Sequence, residues 1–149
     1  MPDTLQLEPA GQLDNAALLD ASFERAADHG GDITPLVFAR FFELAPKAEA
    51  LFQLDTLDPQ ARGRMLAEML TILLDQAGGE SYVGPTLATI AADHVAYGVV
   101  GQDLYGHWIE ALTATVRDLN GPAWTAGMAA AWKCETGKFL AALARKRGR

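Results

Sequence analysis

Cysteine is nearly absent: Cys134 is the only one in 149 residues. An intramolecular disulfide is therefore impossible, and so is a cysteine-rich metal site. Cys134 itself reads as a partly buried small hydrophobe. Long apolar runs are missing too, none approaching the roughly 18 residues of a membrane span. The stretch Met1 to Leu13 is polar and acidic and lacks the basic and apolar segments of a secretory signal. The expectation is a cytoplasmic protein with no membrane partner. Positive charge is scarce, with 12 Lys and Arg against 19 Asp and Glu, a formal net charge of −7. Such a surface repels phosphate, so nucleic acid is not an expected partner. The one basic cluster, Arg145, Lys146, Arg147 and Arg149, reads as a solvated helix end whose cations complement the macrodipole. Phosphate-cradling glycine loops, GxSxG, HExxH and paired carboxylates on one helix face are all lacking.

What is present is apolar material arranged at helical spacing. Hydrophobic residues make up 50% of the chain, enough for one core. Glycine and proline punctuate it, and no segment alternates as a strand would. Residues 1–13 read as an N-terminal extension, with one domain over 14–149. Asp14 is the expected N-cap of a helix running to about Ala27, stopped by Gly30 and Gly31. Thr34 and Pro35 form a cap-and-first-turn pair. The helix they open places Phe38, Phe41 and Phe42 on one face. Asp58 and Pro59 repeat the signature before Leu66, Met69, Leu70 and Leu73, and Gly78 and Gly79 break that helix. A shorter helix after Gly84 and Pro85 carries Leu87, Ile90 and His94 and closes at Gly98. Tyr105, Trp108, Ile109, Leu112, Val116 and Leu119 mark the next helix. Met128, Trp132, Phe139 and Leu143 mark the last, after Gly121 and Pro122. The fold class is all-α, with six to eight helices packed as one domain.

Three histidines offer metal chemistry. His29 sits at a helix end and His107 off the apolar stripe, so both read as surface residues. His94 shares a face with Leu87 and Ile90 near a helix end. On spacing alone a lone histidine in such a wall is more often structural than a ligand. A neutral imidazole there is also what an iron porphyrin requires as its axial ligand.

At this point the chain resembles a family. Val37 to Pro46 followed by Leu51 and Phe52 is similar to the second and third helices of globins. Arg62 to Leu70 resembles their distal helix, and Asp93 to Val99 their proximal segment. Tyr105, Trp108 and Leu112, then Trp124, Thr125, Ala131 and Trp132, resemble the last two helices. The order of these motifs, over about residues 15–143, carries the likeness. The 32 residues from Arg62 to His94 match single-domain bacterial globins and the globin part of flavohaemoglobins.

The resemblance implies a globin-like fold around a haem pocket, with haem b as cofactor and His94 as its iron ligand. It implies that Phe52 stacks on the haem. Phe38, Arg62, Met65, Leu66 and Met69 are placed on the distal side, and Ile90 and Val99 are also expected to line the pocket. Two positions depart from common patterns. Arg62 stands where most globins have His or Gln, and Phe38 where bacterial globins often have Tyr. Arg62 turned inward donates to a bound ligand; turned outward it pairs with a haem propionate. The cost of burying a guanidinium favours the outward pose. Asp93, beside His94, either faces water, the favoured reading, or accepts the ring N–H and raises its basicity. The implied function is reversible binding of a diatomic gas (O2, NO or CO). An alternative is nitric-oxide dioxygenation, or peroxidase- or nitrite-reductase-like turnover. No flavin domain lies within the 149 residues, so that chemistry requires an external reductase. A further alternative is a gas-responsive regulatory module acting on a separate partner.

Overall fold

In the computed structural model, residues 10–50, 60–79, 83, 86, 89 and 102–147 are described. They form five α-helices: α1 (Ala10–Gly30), α2 (Thr34–Leu44), α3 (Ala61–Ala77), α4 (Gln102–Asn120) and α5 (Ala126–Arg147). A 3-10 turn, Gly121–Ala123, joins the last two. Another 3-10 segment spans 46–50, and Val83, Thr86 and Thr89 are helical. No strand occurs among the described residues, and none of these helices is long and apolar enough to cross a membrane.

Helix starts differ from expectation in several places, among them α3, which begins at Ala61 with Gln60 before it. α1 begins at Ala10, so Asp14 lies inside it and not at its start. Aspartate in a helix interior costs under about 0.7 kcal/mol, so it does not force a start. α2 begins at Thr34 itself, so Ile33 and not Thr34 is the N-cap position, without a side-chain cap bond; Asp32 lies just before it. Its Oδ1 accepts the Thr34 backbone N–H at 3.0 Å. Val83 is already helical, ahead of the start expected after Pro85. Asp58 and Pro59 lie outside the described residues. The stops follow the glycines: Gly31 takes φ +63° and donates its N–H to Ala27 O at 2.8 Å, and Gly79 takes φ +82° after α3.

α4 is the centre of the packing, touching α1, α2 and α5, while α1 also lies against α3 and α5. The predicted stripes face inward. Trp108, Ile109, Leu112 and Val116 of α4 are buried, as are Trp132, Phe139 and Leu143 of α5. Burying each such side chain stabilises the fold by about 1.5–3 kcal/mol. α1 approaches α4 closely at Gly30, where a Cβ would lie 3.0 Å from Leu119 Cδ1. Deep between α1, α4 and α5, Trp132 Nε1 donates to Ser22 Oγ at 2.9 Å. Ser22 donates in turn to Leu19 O, and Asn120 Nδ2 donates to Ser22 O. These bonds pair the Trp132 indole, the Ser22 hydroxyl and the Asn120 amide nitrogen where water cannot reach them, while Asn120 Oδ1 is buried without a partner among the described residues.

Candidate functional site

The site forms where α2 meets the first turns of α3. On α2, spacing of i, i+3, i+4 puts three phenyl rings on one side. Phe38 is 1% exposed, with its ring 4.9 Å from Trp108, 5.8 Å from Phe42 and 6.4 Å from Phe41. Such aromatic contacts each add about 0.5–1.5 kcal/mol beyond area burial. The rings are held from behind by α4, through Trp108.

Arg62 stands in the first turn of α3, half-buried. Its guanidinium carbon lies 5.2 Å from the centroid of Phe38 and 5.2 Å from that of Phe42. The ring quadrupoles attract the cation, an interaction worth about 0.5–2 kcal/mol depending on desolvation. Arg62 is therefore turned toward α2. Phe42 was not among the expected site residues; its place four positions after Phe38, on the same helical face, was the signal for it.

Further along α3, Met65 is half-buried and Met69 is 6% exposed. Leu66 is buried and also floors a cleft of about 230 Å³ on the neighbouring flank of α3. Phe23, Ala27 and Ile33 from the α1–α2 corner form its opposite wall. Phe38, Arg62, Met65, Leu66 and Met69 are thus brought to one region. Phe52, Ile90, Asp93, His94 and Val99 lie outside the described residues. The other two histidines are as expected. His29 is exposed, with Nδ1 2.9 Å from Arg25 O, and His107 is partly exposed, with Nδ1 3.9 Å from Glu110.

The chemistry of this wall bears on what it can hold. Among the described residues no three His, Cys, Asp or Glu side chains gather as a metal site. Phenyl and isobutyl groups are not metal ligands, and the thioethers of Met65 and Met69 are soft, weak ones. They fit a flat apolar macrocycle, and the guanidinium fits either the anionic edge of such a group or an anion bound to it. The residues present are therefore compatible with haem.

A second polar cluster was not foreseen. Glu135 of α5 is fully buried. Its carboxylate accepts Asn15 Nδ2 from α1 at 2.8 Å, Gln76 Nε2 from α3 at 2.8 Å and Lys138 Nζ at 3.1 Å. Burial alone would raise its pKa. The hydrogen bonds from Gln76, Asn15 and Lys138 outweigh burial and hold the carboxyl below its usual range. Its position three residues after Trp132 and four before Phe139 was the available signal, since that spacing places it on the buried face. Cys134, expected to be partly buried, is exposed. The inward face of α5 runs through 132, 135, 136 and 139, and residue 134 falls outside it.

Comparison with known proteins bears on the same region. The model of the globin family matches residues 36–143, from α2 into α5. That span includes Phe38, Phe52, Arg62 and His94. No curated protein matches the chain.

Proposed function

This chain belongs to the globin family, and from that premise we propose that it holds haem b through His94 and binds diatomic gases reversibly. Globins as a family bind haem and take up small gas ligands there. Haem, when bound, would supply the iron chemistry that takes up a gas ligand. Everything else is the work of this chain's residues. Phe38, Leu66 and Met69 exclude water from the ligand side, and Met65 adds adaptable apolar bulk. Phe52 stacks on the macrocycle, with Ile90 and Val99 as further contacts.

The observation that carries the reading is the Phe38–Arg62–Phe42 cluster inside the matched span. It combines an apolar wall with a cationic donor, in a region where the described residues offer no other metal chemistry. An absorption spectrum tests it. The purified protein is reconstituted with haemin, reduced and exposed to carbon monoxide. A Soret band at one haem per chain should shift at each step and be lost or altered in His94→Ala. Failure to take up haem at that ratio would overturn the assignment.

A further inference from the structure

We propose that the cleft between α3 and the α1–α2 corner is a second binding site, for small amines that carry a single ring or a short alkyl chain. It does not depend on the haem reading, because the cleft opens on the neighbouring flank of α3. Its origin is a set of side chains too small to close it. Gly63, Leu66, Ala67 and Leu70 line it from α3, and their spacing of i, i+3, i+4, i+7 puts them on one helical face. A Cβ at Gly63 meets nothing within 4 Å. Ala27 and Gly31 stand opposite, at the end of α1, and also leave space that a longer side chain would fill. What remains is about 230 Å³. A cavity of about 150 Å³ already accepts a benzene ring, so one ring and a short chain fit here.

The walls are apolar and the rim is charged. Ile33 and Leu66 are buried at the base, with Phe23 and Leu70 half-buried above them. Trp132 meets the Phe23 ring edge-on at 5.2 Å, which fixes that wall. A preformed apolar concavity with few polar groups is the usual form of a small-molecule site. Asp32 is the only charged residue among the described ones that line the cleft, and it is exposed. Its carboxylate accepts the Thr34 backbone N–H at 3.0 Å and the Thr34 hydroxyl, which leaves about two lone-pair sites for a guest. α1 ends and α2 begins at this rim. Their dipole ends are of opposite sign and similar size, so the full charge of Asp32 decides. A primary ammonium supplies a positive charge and three donors to such a group. A carboxylate of the same size is repelled.

The experiment uses the full chain, reduced and saturated with carbon monoxide so that any haem iron is closed to amines. Phenethylamine, phenethyl alcohol and phenylacetate are titrated in turn, and the backbone amide signals are followed by two-dimensional NMR. Phenethylamine should shift Gly31, Gly63 and Ala67 saturably. Its Kd should lie about 2- to 5-fold below that of the alcohol, the range of an exposed ion pair. Phenylacetate should bind more weakly than either. Asp32→Asn keeps an acceptor for the Thr34 N–H and should abolish the preference for amine over alcohol. Gly63→Leu places a helix-favouring side chain in open space and should remove binding of both. Ala67→Leu fills the same cleft from one turn further along and should do likewise, with circular dichroism establishing that each variant is folded. No saturable shift at these residues, an amine that binds no tighter than the alcohol, or binding that persists in both filled variants would overturn the proposal.

Discussion

Glu135 shows how much one side chain can be asked to hold. A buried carboxylate is tolerated only when its lone pairs are occupied, and here donors come from Asn15, Gln76 and Lys138. Replacing it with alanine leaves two amide donors facing each other across the gap. Glu135→Ala should destabilise the fold by about 1–3 kcal/mol per stranded donor, read as a lower urea midpoint. The pH dependence follows from the direction of the shift. The folded carboxyl titrates below its unfolded range, so within that window the unfolded chain binds the extra proton. Stability contributed by Glu135 is complete above the unfolded range and is lost as pH falls through the folded value. Glu135→Gln should therefore flatten the acid limb of the stability–pH curve; an unaltered limb would remove the carboxylate from this role. Residues of this kind were hidden in the sequence. Asn15, Gln76 and Glu135 lie 59 and 120 positions apart along the chain, and no local pattern joins them. Phe38 and Arg62, by contrast, could be named as site residues from helical spacing and from resemblance. What could not be read was the rotamer of Arg62. Its guanidinium lies beside two rings on another helix, a contact that no local pattern in α3 announces.

At the level of elements, helix interiors were legible and helix ends were not. Stripes such as Trp108, Ile109, Leu112 and Val116 repeat a period over several turns, so each residue supports the next. A cap rests on one or two residues. Asp14 was misread for that reason, and Thr34, taken as the cap of α2, is its first residue, with Ile33 at the cap position. The Thr34 hydroxyl and backbone N–H hold the Asp32 carboxyl below its ordinary range. Asp32→Ala removes the hydrogen bond to the Thr34 N–H and should cost about 0.5–1.5 kcal/mol of stability, measured by thermal melting at neutral pH. Glycines within the helices give a paired test. Gly137 lies within α5, and a Cβ there meets nothing within 4 Å. Gly137→Ala should stabilise the protein by about 0.5–1 kcal/mol. Gly30→Ala should not, because its Cβ would press on Leu119 at 3.0 Å. A gain at both positions would mean that α1 and α4 are not in close contact.

For the whole molecule, composition and periodicity together were enough for an all-α domain, since neither disulfide, strand nor membrane span had support. The match over residues 36–143 agrees with that architecture. If haem is held through His94, ligand binding and folding are linked, because the unfolded chain has no assembled pocket. Haem-loaded protein should melt at a higher temperature than the haem-free chain, and the difference should shrink in His94→Ala. Differential scanning calorimetry of the four samples reads this directly, and an equal gain in both proteins would point to haem sticking elsewhere.

The Glu135 cluster also sets an order on biosynthesis. The ribosome delivers α1 first, yet Asn15 finds its acceptor only when residue 135 has emerged. Gln76 of α3 waits for the same carboxylate. α1 rests on α4 and α5 as well, so it lacks two of its partners until α5 has emerged. A nascent chain arrested before residue 135 would carry α1 and α3 without the group that ties them together. For such a protein the hazardous interval is the time spent half-made, and it closes with the last helix.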